Sequence, residues 1–296
     1  MSTNEAPLFE AKDLTIEIPA ALGERHIGLR RVTLSVAPRE IVVLAGESGS
    51  GKSLLARVAA GIADPRMKVL SGSIAYDGIP LARKGQRRLL EMRRGPVTVI
   101  APLASAPPDP DRTVRRWLRD CRRLAGKNGR QWGDCFFSAG LHEPEQLLPR
   151  RLGEMPPLVL KRLAVVRALI LGSRLLIVED AGADLDPPGE ASFHELLVRL
   201  RDEFGIAALV STGSLRGMER LADRLVIFFE GGILEQGSPL DLLTSPRFAY
   251  TRELRACEAR LADLPRDLPV ISREAAREAE AHVHEVSSSL ETPFAG

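Results

Sequence analysis

The sequence predicts an α/β protein with a mostly parallel sheet at its core, an antiparallel β subdomain and an inserted helical subdomain. Three observations predict it. Ile41–Ala45 and Leu175–Val178 are short, continuously apolar runs, as expected of strands covered on both faces. Helix and strand patterns alternate beyond Asp180, with a helix at about Glu190–Phe204 and strands at Ala207–Ser211 and Arg224–Phe229. Between the two apolar strands, Ala82–Val159 changes character and reads as an inserted helical unit.

Each element follows from its local pattern. Phe9–Ile18 and Val32–Val36 mix apolar and polar residues at a spacing near two, the mark of antiparallel strands with one wet face. Pro38-Arg39 turns the chain into the Ile41 strand. Good helix formers fill Leu54–Ala60, and Gly61 stops them. Val69–Tyr76 is a further strand that ends at the Asp77-Gly78 turn. The insertion opens with Arg83, Lys84, Arg87, Arg88, Arg93 and Arg94, followed by a proline-rich loop at Pro102–Pro110. In Arg112–Leu124 the residues Val114, Trp117, Leu118, Cys121 and Leu124 share one helical face. Gly231-Gly232 makes a turn. The chain is helical and polar after Pro239, and the tail after Asp267, with its Ser287-Ser288-Ser289 run, reads as weakly folded. This gives one domain over 1–240, with the helical subdomain inserted at about 82–160, and a helical extension with a flexible tail over 241–296.

Composition removes several function classes. With 44% hydrophobic and 27% charged residues among 296, the chain is neither disordered nor membrane-embedded. Arg167 and Arg174 interrupt the apolar stretch from Leu163 to Val178, so no run of about 20 apolar residues is present. A net charge of +2 is too small to predict a polyanion partner. The arginines between Arg83 and Arg123 read as a solvated or partner-facing helix surface, not a nucleic-acid surface. Cys121, Cys135 and Cys257 are too scattered to predict a metal site or a disulfide framework. Met1–Leu8 carries no export signal, which predicts a cytoplasmic location.

The chemistry lies after the first apolar strand. Gly46-Glu47-Ser48-Gly49-Ser50-Gly51-Lys52-Ser53 fits G-x-x-x-x-G-K-[ST] between a buried strand and a helix. Glycines let backbone N–H groups wrap around phosphates, and the helix N-terminus adds partial positive charge. Lys52 would reach the β- and γ-phosphates, and the Ser53 hydroxyl would ligate a bridging magnesium ion. A nucleoside triphosphate with Mg2+ is the expected ligand.

With this loop, the chain resembles the ATP-binding cassette (ABC) ATPases over nearly its whole length, in particular the branch that imports oligopeptides, dipeptides and nickel. The wording of the loop and the position of the helical insertion carry the resemblance. Gly237-Ser238-Pro239, followed by Ser245-Pro246-Arg247-Phe248-Ala249-Tyr250-Thr251, resembles the branch's element ending in His-Pro-Tyr-Thr, with Phe248-Ala249 in place of its first two residues.

The resemblance implies roles that this sequence alters. The family's second acidic strand ends in Asp-Glu, seven residues ahead of a further Asp. Asp186 sets that register, which places Glu179 at the magnesium-linked acid and Asp180 at the catalytic base, in swapped order. Asp180 is one methylene shorter than the usual base, whose reach to the attacking water is about 2.6–3.2 Å. Pro102 stands at the family's metal-sensing Gln and lacks both side-chain amide and backbone donor. Thr212-Gly213-Ser214-Leu215 replaces Thr-His-Asp-Leu, so Gly213 stands at the switch His. His194 reads as a partly exposed helix residue and not as its replacement. Met155-Pro156-Pro157-Leu158 occupies the place of the Leu-Ser-Gly-Gly signature just before Lys161-Arg162. Ile18 stands where an aromatic residue stacks on adenine. Cys257 alone cannot supply the iron–sulfur cluster of some branch members.

The function implied is an ATP-binding subunit of a peptide- or nickel-type importer, peripheral on the inner face of the membrane. It would bind Mg-ATP, hydrolyse it weakly or not at all, and pair with a more active second ABC ATPase. Transmembrane permease subunits, and indirectly a solute-binding protein, would be its partners. The alternative is a cassette-fold scaffold or regulator of a soluble enzyme complex.

Overall fold

Successive side chains of a strand leave on opposite faces, and the computed structural model shows where each set goes. It describes residues 6–19, 24–62, 64–80, 96–102, 109–126, 129–262 and 270–288. Ile41, Val43 and Ala45 enter a core shared with the inserted helices, whereas Val42 and Leu44 enter a second core beneath the antiparallel sheet. Leu176 and Val178 divide from Leu175 and Ile177 in the same way. The continuous apolar runs therefore reflect a sheet sandwiched between two cores.

That sheet has six strands: β3 (Ile41–Ala45), β6 (Val97–Ile100), β7 (Leu175–Val178), β8 (Ala207–Ser211), β9 (Arg224–Phe229) and β10 (Gly232–Gly237). Their order is β10-β9-β3-β8-β7-β6. All neighbours are parallel except the β9–β10 hairpin. A separate antiparallel sheet has the order β2-β1-β4-β5, with β1 at Phe9–Pro19, β2 at Arg25–Val36, β4 at Lys68–Tyr76 and β5 at Ile79–Pro80. Helix α1 (Lys52–Ala59) follows β3. The insertion contributes α2 (Val114–Ala125), α3 (Trp132–Ser138) and α4 (Pro144–Leu147), before α5 (Pro157–Leu171) leads into β7. The basic run Arg83–Arg94 and most of the Pro102–Pro110 loop lie outside the described residues. Helices α6 (Pro187–Phe204), α7 (Met218–Leu221), α8 (Pro239–Thr244), α9 (Ala249–Ala262) and α10 (Arg273–Ser288) complete the chain.

Four expectations are corrected. Strand β2 begins at Arg25 rather than Val32, because its first half alternates charged, glycine and apolar residues and carries no hydrophobic signal. Leu124 is exposed in the last turn of α2, just ahead of Gly126, while Val114, Leu118 and Cys121 are buried. Helix α6 starts at Pro187, not Glu190: Asp186 caps it by accepting from Gly189 N at 3.0 Å, and Pro187 suits the first helical position. Asp186→Ala is accordingly expected to cost about 1 kcal/mol, seen as a lower thermal midpoint. The tail also carries more structure than the sequence suggests. Helix α10 packs on α9, β2, β9 and β10, and its Ala275, Ala279 and Val283 are buried. Spaced by four, these small residues form a narrow stripe that is hard to see among Glu and Arg.

Candidate nucleotide site

The parallel strands end level with one another. Leu44 pairs with Ser211, Val210 with Val178, and Val178 with Ile100. Their carboxyl ends deliver four loops to one edge of the sheet: Gly46–Ser53, Glu179-Asp180, Thr212-Gly213 and Ala101-Pro102. A cleft of about 540 Å3 opens there, lined by Lys52, Ser53, Asp180, Thr212 and Gly213 among others. Open α/β sheets place their ligands at this edge.

The loop after β3 is fixed by contacts that only glycine permits. Gly46 has φ 143°, and a Cβ there would lie 2.4 Å from the Phe228 carbonyl oxygen. Gly51, with φ 104°, caps α1, and a Cβ there would lie 3.0 Å from Gly231 Cα. Outside contacts hold the loop as well. Gly231 N donates to Ser50 O at 2.9 Å. Glu47 N donates to the Tyr250 hydroxyl at 3.2 Å. The ring of Tyr250 is buried against Phe229.

Lys52 is buried inside this loop. Its ammonium donates to the carbonyl oxygens of Gly46 and Glu47, each at 2.7 Å, and to Ser50 Oγ at 3.1 Å. Burial pushes its pKa below the ordinary lysine value, and the negative charges of Asp180 and Glu47 oppose that shift. The result is a positive charge held by its own loop and facing an acid across the cleft.

The two acids after β7 occupy different surroundings. Glu179 is buried, and its Oε2 accepts from Arg57 Nε at 3.2 Å, one turn along α1 from Ser53. Its Oε1 is buried without a hydrogen-bond partner. Asp180 lines the cleft with φ 47°, a left-handed conformation that Asp tolerates better than most residues. Its backbone N donates to Ser211 Oγ at 3.1 Å. Ser53 lines the cleft and Glu179 does not; the orphaned Glu179 oxygen and the Ser53 hydroxyl are each oxygen donors of the kind that suits a hard cation such as Mg2+. Arg57 already counters part of the Glu179 charge.

The altered positions have local explanations. A Cβ on Gly213 would meet no atom within 4 Å, so this wall of the cleft is open. Pro156 and Pro157 serve as the cap and first residue of α5, which suits residues lacking N–H donors. His194 is buried, contrary to the partly exposed position expected, because α6 packs it near Glu190 and Lys161. Burial and then Lys161 hold its pKa below the ordinary histidine value. It does not line the cleft and so does not take the place of Gly213.

Cleft residues that went unnoticed in the sequence include His26, Ile27, Gly28, Arg30 and Glu230. His26 is the cross-strand partner of Ile18, and both line the cleft. The missed signal was period two along β2, where His26, Gly28 and Arg30 share one face.

The level strand ends, the glycine loop and the buried lysine at the head of a helix define a P-loop nucleotide-binding domain of the α/β class. The ABC transporter family profile matches residues 29–182, and the chain belongs to that ATP-binding cassette family. The nickel import ATP-binding protein NikE of Escherichia coli K12 is 32% identical over 70% of this chain and 76% of its own. The peptide transport system ATP-binding protein SapD of Salmonella typhimurium is 26% identical over 90% and 87%. The peptidoglycan transport ATP-binding protein YejF of Agrobacterium fabrum is 30% identical over 86% of this chain, which spans only 48% of YejF. In fold, the chain is similar to cbiO1 of Clostridium perfringens, with a TM-score of 0.65 and 21% identity over 88% of this chain and 99% of that one. It is similarly close to the dimeric cassette MJ0796, with a TM-score of 0.65 and 20% identity over 78% and 98%.

Proposed function

We propose that this chain is the ATP-binding subunit of an ABC importer of the peptide or nickel class, able to hold Mg-ATP but poor at cleaving it. The single observation that carries the reading is the composition of the cleft. It joins an intact phosphate loop, Gly46 to Ser53, to an opposite wall where Asp180 is short and Gly213 has no side chain. Binding and cleavage draw on different groups. The backbone donors of Gly46, Ser48, Gly49 and Gly51 and the charge of Lys52 act on ground-state phosphates, while Glu47 N donates to Tyr250 and Ser50 N to Glu47 O, which shapes the loop. Ser53 and Glu179 would hold magnesium, which supplies neutralising charge to the β- and γ-phosphates. Asp180 is the candidate base. His26 offers an aromatic face to the nucleotide base beside Ile18.

The name of NikE supports import and that of SapD supports peptide transport, and the dimeric MJ0796 cassette supports a two-cassette assembly. Because the Met155-Pro156-Pro157 surface would face a partner's nucleotide, the reading includes a second, more active ATPase subunit and permeases that supply the membrane span. Among the described residues no helix is long and apolar enough to cross a membrane. The phosphate-binding domain comprises 1–240 with its insertion, and 241–296 is the extension.

Equilibrium ATP binding by the purified chain with Mg2+ tests the site, and failure to bind would sink the proposal. His26→Ala is expected to weaken ATP about fivefold or more, the equivalent of roughly 1 kcal/mol of lost stacking, while leaving inorganic triphosphate binding unchanged. Purification of the native complex tests the assembly: permeases alongside the chain support the importer, and soluble enzymes alone refute it.

A further inference from the structure

A second cluster of ligand groups lies beside the cleft, which only Glu230 of the three lines, and involves none of the phosphate-loop residues. Glu230 sits at the β9–β10 turn, and Glu280 and His284 lie on α10. One carboxylate oxygen from each glutamate and one imidazole nitrogen converge to within 4.8 Å of one another. Glu280 and His284 are four residues apart, the spacing that puts two side chains on the same helical face one turn apart. Glu230 arrives from a different element, the β9–β10 turn, where it has φ 43°, and its Oε2 lies 4.0 Å from His284 Nε2.

The framework beneath the cluster is closely packed. Ala279 and Val283, each adjacent in sequence to one of the helical ligands, are buried, and Val283 packs so closely on Gly232 that a Cβ there would lie 2.6 Å from its Cγ1. His282, between the two ligands in sequence, faces elsewhere and packs on the Phe248 ring at 4.7 Å. All three ligands are exposed, so an ion can reach them from solvent.

We propose that Glu230, Glu280 and His284 bind a divalent transition-metal ion of the zinc or nickel kind, pinning the C-terminal helix to the wall of the nucleotide cleft. One imidazole and two carboxylates form a mixed nitrogen and oxygen set. Such a set favours borderline cations over Mg2+ or Ca2+, which prefer oxygen alone. Three protein ligands leave at least one coordination position for water. The site is connected to the phosphate loop through the backbone. The Glu230 carbonyl accepts from Arg30 Nε at 3.2 Å, and the next residue, Gly231, donates to Ser50 O at 2.9 Å. An ion here would therefore fasten α10 to the turn on which the phosphate loop rests.

Calorimetric titration of the full chain with Zn2+, without nucleotide, provides the test. The expected result is a one-to-one site whose affinity falls at least about tenfold in Glu280→Gln/His284→Ala, since even outer-shell partners of a metal are worth about 10–100-fold. Zn2+ should also slow amide exchange across α10 in the parent and not in the double variant. If that variant melts earlier than the parent in metal-free buffer, Glu230→Gln replaces it in the same titration. Undetectable Zn2+ binding, or equal affinity and stoichiometry in parent and variants, would overturn the site. Because no nucleotide is present, this result stands apart from the ATP-binding test.

Discussion

Lys52→Ala is expected to weaken ATP binding at least about a hundredfold in an equilibrium assay. The ammonium donates to Gly46 O, Glu47 O and Ser50 Oγ, which places a full positive charge at the centre of the loop. A hydrogen bond to a charged group is worth about 1.5–3 kcal/mol, and loss of two such phosphate contacts at about 1.4 kcal/mol per tenfold exceeds a hundredfold. The substitution also leaves two loop carbonyls without their donor, so thermal melting must accompany the assay to show that the fold persists. Unchanged affinity in a folded variant would remove the phosphate-loop reading.

The second large effect concerns turnover. The purified chain is expected to hydrolyse ATP about 10²–10⁴-fold more slowly than a cassette with a well-placed base, equivalent to about 3–5 kcal/mol of barrier. Asp180→Glu with Gly213→His should raise the steady-state rate at least about tenfold while changing ATP affinity less than about twofold. The first side-chain atom of the histidine meets no obstacle, because a Cβ at 213 has nothing within 4 Å, and Gly213 lines the open cleft. The glutamate is less favoured than aspartate at φ 47°, which limits the gain. The two changes act as a unit and should not be summed from the single variants. A parent rate equal to that of an ordinary cassette ATPase would refute the claim of weak hydrolysis.

The parts of this site that the sequence revealed are local, and the parts it hid are distant. Gly46 to Ser53 is legible because strand, loop and helix head are contiguous, so the pattern and its context are read together. The β3 and β7 strands were legible because burial on both faces leaves an unbroken apolar run. The Arg57–Glu179 pair was not, because it joins residues 122 apart and neither has an unusual neighbourhood in sequence. His194 is buried by α6 packing, which periodicity at one position cannot reveal. The first half of β2 escaped because its cleft-facing residues are His26, Gly28 and Arg30, which obey the period of a strand without its hydrophobicity. Helix α10 escaped because alanine, its main buried residue, is as common on helix surfaces as in cores.

The contact between Glu47 N and the Tyr250 hydroxyl bears on how the chain is made. Every residue from Gly46 to Ser53 leaves the ribosome about two hundred residues before the phenol that braces their loop, 203 in the case of Glu47. The loop therefore gains this contact only once residue 250 has been made, and a nascent chain stalled before it would carry all its phosphate-facing groups without that brace.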